Sequence, residues 1–297
     1  MSFKVCVIGS NGFLGRKIVE KFKLNKYYIS GFSREDANNL DKHYFFNHPQ
    51  KPIDYNLLLE HDIIIYAVGA GVQSNSKETV NDIYYLNAFL PIEIILFLEN
   101  NKWDGKFITF GSYFEIGYNN EKKFYSEEDV VLSPNKVPNE YCTSKRILAR
   151  FLNSRNINIK YFHLILPNIY GKGENENRLL PYLIDSIING NKLKLTSGDQ
   201  LRQYIHVDDI VKYIDIILNE NITSGYYNIT NEGPLTVKEI VYLVHNLLGK
   251  QCSEEIFGTN ERNDASMNVL LLSSKKASSE FKYSNKISIK EGILSYL

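Results

Sequence analysis

Cysteine is scarce in this chain: Cys6, Cys142 and Cys252 are three in 297 residues, odd in number and far apart. That excludes a disulfide framework and any cysteine-based zinc spacing, and it fits thiols kept reduced in a cytoplasmic protein without a metal site. An excess of charge is lacking too, with 34 Lys plus Arg against 34 Asp plus Glu. The chain therefore carries no electrostatic footprint for nucleic acid or an anionic membrane, and a phosphate-bearing ligand must be gripped locally. Long apolar runs are missing: the longest, AFLPIEIILFLENN, is interrupted by Pro91 and Glu93. It falls short of the ~20 residues a membrane helix needs, so no span is expected. The opening MSFKVCVIGS enters a strand at once, without the basic and long apolar regions of a secretory leader.

What is present is globular. Apolar residues make up 43% of the chain and charged ones 23%, enough to bury one large core or a large and a small lobe. Apolar runs of about five residues recur, FKVCVIG, KYYISGF, HDIIIYAVG, GKFITFG and IKYFHLIL, with helical patterns expected over 13–24, 79–99 and 139–154. Continuous Ile/Val/Phe/Tyr strands alternating with helices imply a parallel sheet covered on both faces, a doubly wound α/β architecture of Rossmann type. From about residue 167 the rhythm changes. A polar, Gly-rich loop, LPNIYGKGENEN, precedes a helix over 179–188, short strands near 193–195 and 202–206, and a helix over 207–219 for which Asp208 is the expected N-cap. The strand GYYNIT and a capping-box helix start, Thr236 to Glu239, follow. The expected organisation is a dinucleotide-type domain over 1–166 and a smaller α/β lobe over 167–297, with segments interleaved.

The stretch VIGSNGFLGRKI sets Gly9, Gly12 and Gly15 between a hydrophobic strand and an amphipathic helix. Glycine there lets the backbone turn sharply and approach a pyrophosphate, with the helix N-terminus supplying amide donors. At the end of the second strand, Ser33 and Arg34 stand where an acid would hold a ribose 2′-hydroxyl, and their donors suit the 2′-phosphate of NADP. A register shift onto Glu35 or Asp36 would restore an acid and with it NAD. Tyr141 and Lys145, in NEYCTSKRI, lie one helical turn apart, 29 residues after the strand end Gly111-Ser112.

The three-residue spacing of the glycines together with Ser112, Tyr141 and Lys145 resembles the extended members of the short-chain dehydrogenase/reductase superfamily. The likeness runs from Gly9 to YNITNEG and the final helices. It implies that Tyr141 is the general acid/base, Lys145 its electrostatic partner and ribose anchor, and Ser112 a donor to the substrate carbonyl. It further places Gly9, Asn11, Gly12, Phe13, Leu14, Gly15, Ser33, Arg34, Ala67, Gly69, Asn87 and Pro167 along the dinucleotide. For Asn87 an exposed helix position is the competing reading.

LPNIYGKG and RQYIHVDDIV resemble the signatures of members acting on nucleotide-diphosphate sugars, which assigns Asn168, Arg202 and, with Ser112 and Tyr113, Arg178 to the substrate. For the two arginines a surface salt bridge is the alternative. Ile165 departs from the pattern, where arginine is usual. Dehydratases carry Asp-Glu after the strand-end hydroxyl; Tyr113 and Phe114 occupy those positions here, which argues against dehydration. The resemblance thus implies an NADPH-dependent 4-ketoreductase for a CDP-, GDP- or dTDP-linked 4-keto-6-deoxy sugar (hexose or heptose) in bacterial surface polysaccharide synthesis. The alternatives are a 4-epimerase retaining NAD, and a non-catalytic NADP-binding sensor. It also implies a homodimer through the helices over 79–99 and 139–154, and substrate selection by loops 70–78, 112–138 and 168–178.

Overall fold

The computed structural model describes residues 3–35, 39–72, 78–231, 233–260 and 267–297. Asp36 and the centre of loop 70–78 lie outside the described residues. The chain runs β1 (Lys4–Ile8), α1 (Phe13–Leu24), β2 (Tyr28–Ser33), β3 (Lys42–Phe45), β4 (Ile63–Tyr66), α2 (Val80–Tyr84), a π-helical turn (Tyr85–Phe89), α3 (Leu90–Asn100) and β5 (Lys106–Ser112). A 3₁₀ turn (Tyr113–Ile116), α4 (Glu127–Val131), α5 (Glu140–Asn153), β6 (Lys160–Leu166), β7 (Asn168–Tyr170), α6 (Leu179–Asn189), β8 (Leu201–Arg202) and β9 (Tyr204–His206) follow. The remainder is α7 (Val207–Asn219), β10 (Gly225–Asn228), β11 (Leu235–Thr236), α8 (Val237–Leu247), α9 (Lys275–Phe281) and α10 (Ile289–Leu294).

Seven strands pair in parallel in the order β10-β6-β5-β4-β1-β2-β3. Alternate residues of each inner strand feed two cores. Val5, Val7, Ile63 and Ile65 join Ile18 and Phe22 of α1 and Ile210 and Ile214 of α7 on one face. Cys6, Ile8, Ile64 and Tyr66 join Leu90, Ile94 and Leu98 of α3 and Leu148 and Leu152 of α5 on the other. With each such side chain contributing about 1.5–3 kcal/mol on burial, the period-2 alternation explains why these strands read as unbroken apolar runs.

Helices α2 and α3 form one continuous helix, Val80–Asn100, long and apolar enough by length and composition to cross a membrane. The interruptions in its sequence suggested less. Pro91 is accommodated at the start of α3, and Ile94, Ile95 and Leu98 are fully buried in the core.

The second lobe has its own cluster, in which Leu183 and Ile187 of α6, Ile240 and Val244 of α8 and Ile293 of α10 meet. Leu193 and Leu195 are buried in it, but the strand expected at 193–195 does not form. Leu195 N–H bonds the Ile256 carbonyl at 3.1 Å, without a neighbouring ladder. Two short pairings, β7 with β9 and β8 with β11, complete the lobe. The chain returns to the large unit through α7, on the α1 face, and β10, which adds to β6. His206, not Asp208, caps α7: its side chain accepts the Asp208 N–H, because the helix starts at Val207 and leaves Asp208 exposed in the first turn.

Candidate active site

The sheet order reverses between β1 and β4, and the crevice beyond such a switch point is where open α/β sheets bind ligands. Gly9 follows β1, Ala67 follows β4 and Ser112 ends β5. At Gly9, with φ +89°, a Cβ would stand 2.9 Å from the Ala67 carbonyl carbon; one on Gly15 would stand 2.1 Å from the Gly9 oxygen. Only glycine lets strand, turn and helix approach so closely. Gly12 precedes α1 without a side-chain cap, which leaves the amides of its first turn to a ligand, and the cradle fits a pyrophosphate. Asn11 is held by its amide to the Glu35 carbonyl at 2.7 Å, Phe13 is half-buried, and Leu14 belongs to the core. Ala67 is half-buried, Gly69 exposed, and Pro167 buried just past β6.

Ser33 is buried, with its hydroxyl donating to the Glu35 carbonyl at 2.7 Å and lying 3.0 Å from His43 Nε2. Arg34 beside it is exposed. Asn87 is buried, against the exposed reading. Its Oδ1 accepts the Ala70 N–H at 3.0 Å, and its Nδ2 donates to the Ala70 carbonyl at 2.8 Å and to Ser144 Oγ at 3.0 Å. It sits in the π-helical turn and ties the loop after β4 to α5.

Helix α5 starts from the Asn139 cap, which accepts the Cys142 N–H, and so fixes Tyr141 in the first turn and Lys145 one turn on. Burial pushes the Tyr141 phenol above its usual range, while its hydrogen bond with the Ser112 side chain opposes the shift; Cys142 and Glu115 raise it and Arg178 lowers it. Lys145 is buried, donates to the Phe110 carbonyl at 3.0 Å, and has its Nζ 5.9 Å from the centroid of the Tyr141 ring. Burial lowers it to about 8, and the charge of Glu115 resists that fall. Ser112, Tyr141 and Lys145 are thus one group.

The residues expected on the substrate side, Asn168, Arg178 and Arg202, gather around Tyr204, which is buried. Its phenol is pushed up to about 12 by burial, with Arg202, Asn168 and Arg178 acting the other way. Arg202 is buried and donates to the Leu201 and Asn268 carbonyls at 3.0 and 3.2 Å, so it is no surface salt bridge. Arg178 does make an ion pair, 2.9 Å from Glu174 Oε2, whose side chain is almost wholly buried. Tyr296 holds that arrangement, donating to Glu174 Oε1 while accepting the Gly171 N–H at 2.7 Å. Tyr113 departs from expectation. Its side chain is fully buried among Ile116, Val130 and Ile165, because β5 turns into 3₁₀ at that point and sends it inward. Cys142 is buried, in line with packing.

Sequence reasoning missed Glu115, His163, Glu174, Tyr204 and Tyr296. Glu115 had a signal: Ser112-Tyr113-Phe114-Glu115 is a capping-box pattern, and the box forms. Glu174 also had one, standing four residues before Arg178, with which it pairs; His163, Tyr204 and Tyr296 stand in no such local pattern.

The fold and this site define a Rossmann-type nucleotide-binding protein. The sequence description of the NAD dependent epimerase/dehydratase family matches residues 5–230, and the chain belongs to that family. It is 24% identical to CDP-abequose synthase of Yersinia pseudotuberculosis, over 99% of this chain and 98% of that protein. A CDP-abequose synthase of Salmonella typhimurium is 32% identical over 111 residues, 36% of this chain and 37% of the other. Among solved structures, UDP-glucose 4-epimerase of Thermotoga maritima with UDP-glucose superposes with a TM-score of 0.82 at 18% identity, covering 99% of this chain and 97% of that one. The dTDP-glucose 4,6-dehydratase of Bacillus anthracis with NAD gives 0.79 at 18%, covering 98% and 94%. At such identities the two structures establish the fold.

Proposed function

We propose that the protein reduces the C4 keto group of a nucleotide-diphosphate-linked 4-keto-6-deoxy sugar, with NADPH as the favoured reductant. The observation that carries this reading is the union of Ser112, Tyr141 and Lys145 at the end of β5, beside the glycine cradle. The glycine cradle and Lys145 would hold the dinucleotide, which would supply the hydride. Tyr141 gives its proton to the carbonyl oxygen as the alkoxide develops, and Ser112 donates a hydrogen bond to the same oxygen. Releasing a phenol proton near neutral pH costs about 4 kcal/mol, and the Lys145 ammonium one turn away offsets part of this. Asn168, Arg178, Arg202 and Tyr204 would take the nucleotide diphosphate, the guanidiniums as charge-assisted donors.

Similarity along the whole chain to the Yersinia pseudotuberculosis CDP-abequose synthase supports reduction, as does the absence of an Asp-Glu pair after Ser112. Epimerisation by a retained NAD is the second reading, favoured by the likeness to the Thermotoga enzyme. The test is absorbance at the nicotinamide band with NADPH or NADH and a panel of CDP-, GDP- and dTDP-linked 4-keto-6-deoxy sugars. Stoichiometric NADPH oxidation is expected. NAD released on denaturation, with no net NADPH consumption, would support epimerisation instead. Tyr141→Phe should keep the fold and dinucleotide binding and lose roughly 10²- to 10⁴-fold in turnover. A near-normal rate would remove Tyr141 from the mechanism.

A further inference from the structure

Next to the catalytic trio lies a second set of ionisable groups that the reaction as written does not use. Glu115 is 0% exposed. Its Oε1 accepts the Ser112 N–H at 2.7 Å, and its Oε2, equally buried, meets no hydrogen-bond donor among the described residues. The charged and titratable groups facing it come from two elements. Helix α5 brings Tyr141, Lys145 and Arg146. Strand β6 brings His163, whose Nδ1 lies 2.8 Å from Thr109 Oγ1. A Cβ on Gly111 would stand 2.5 Å from His163 Nε2 and 2.9 Å from Glu115 Oε1, so the missing side chain at Gly111 is the space in which the two converge.

A carboxylate removed from water without a counter-charge is strongly disfavoured, and so is an ammonium. The cations around Glu115 differ in what else they do. Arg146 donates to the carbonyls of Glu115, Asn135 and Ile116 and to Ser133 Oγ, which commits its guanidinium to fastening the turn after β5. His163 is held neutral, brought down to about 3 by burial and by the charge of Lys145. Lys145 remains, itself buried, with the Phe110 carbonyl as its hydrogen-bond acceptor. Burial raises Glu115 to about 7, against the Ser112 N–H, Lys145 and Arg146. The same carboxylate is the charge that opposes the fall of Lys145.

We propose that Glu115 is a positioning residue for the proton donor: its buried carboxylate anchors the turn that carries Ser112 and supplies the counter-charge that keeps Lys145 an ammonium beside Tyr141. The proposal rests on the reading of Tyr141 as proton donor for its catalytic consequence, but the Glu115–Lys145 coupling can be measured without any substrate.

The experiment follows the lysine side-chain ¹⁵N resonance of Lys145 against pH, assigned by its loss in Lys145→Arg. In Glu115→Gln, which keeps shape and an acceptor for Ser112 N–H, the Lys145 midpoint should fall by at least about one pH unit, a tenfold loss of proton affinity. The native protein supplies a check that needs no folded variant: its Lys145 signal should show a second inflection near pH 7, where Glu115 titrates. An unmoved midpoint in Glu115→Gln, or a native Lys145 curve without that inflection, would overturn the proposal. In turnover, the alkaline limb of the Glu115→Gln pH profile should move down with the Lys145 midpoint, which a merely structural loss would not cause. If the midpoint shifts and Tyr141→Phe still turns over normally, the coupling stands and the proton-donor reading fails. If Tyr141→Phe is inactive and the midpoint does not shift, only the present proposal fails.

Discussion

The Ser33 hydroxyl already has two neighbours, the Glu35 carbonyl and His43, whereas Arg34 is exposed at the same strand end. On the NADPH reading proposed above, discrimination for a 2′-phosphate would fall mainly on the Arg34 guanidinium. Arg34→Ala should weaken NADPH by about tenfold, near 1.4 kcal/mol for a charge-assisted contact, and leave NADH unchanged in a fluorescence titration. Equal losses for both nucleotides would assign the effect to the fold of the strand end. The same scale explains why Glu115 escaped notice. An acid in a turn after a strand is ordinarily solvated, and only the long-range packing of α5 and β6 shows that this one is buried beneath Ser112.

Helix Val80–Asn100 presents exposed Val80 and Phe89 although its other face is deep in the core. The proposed homodimer would use that outer face together with α5. Phe89→Glu should convert a dimer in sedimentation velocity to a monomer of unchanged melting temperature; a variant that stays dimeric would place the contact elsewhere. Helix and strand existence was largely legible in the sequence. Helix α1 starts and ends at the expected residues, and α5 and α6 are right to one residue at each end, because apolar periodicity and caps are local. The π-helical turn at Asn87, the His206 cap and the absent strand at 193–195 were not legible. Two of them depend on partners distant in the chain, Ala70 and Ser144 for Asn87 and Ile256 for Leu195, whereas the His206 cap is local and was misplaced by two residues. The grouping of Ser112, Tyr141 and Lys145 was readable from motif spacing, whereas the full Glu174–Arg178–Tyr296 clasp required the fold.

For the whole molecule, two buried groups impose opposite pH dependences. His163 is depressed from its ordinary 6.5 to about 3, so between those values the unfolded chain binds a proton that the folded one does not. Stability falls as the pH falls through that window, by about 1.4 kcal/mol per unit. Glu115 is raised from 4.5 to about 7, so the folded protein holds a proton that the unfolded chain has released, and stability rises as the pH falls from 7 to 4.5. The slopes of these two groups offset each other between about 6.5 and 4.5, while His61 and His206, also depressed by burial, add a loss on the acid side; at lower pH His163 is joined by carboxylates that the fold holds below their ordinary range, among them Asp41, Asp82 and Asp129. Urea midpoints should decline gently over that interval and then drop steeply. In Glu115→Gln the loss on acidification should already be under way above pH 6.5, because Lys145 is depressed further without its counter-charge, and His163→Gln should gain stability on mild acidification. A native curve that already declines in parallel with Glu115→Gln would contradict this balance.

Strand β10 and helix α7 lie late in the chain, yet they close the edge and one face of the large sheet. The substrate-side residues and the nucleotide-side scaffold are consequently not separable modules. Grafting everything after residue 166 from a relative would transplant the loops expected to face the substrate together with an edge strand and part of the large sheet's core. A workable exchange of specificity would have to retain 207–230 and also α9, whose Ala277 and Phe281 are buried in the same core, so changes of substrate are most simply made through loops within one continuous scaffold.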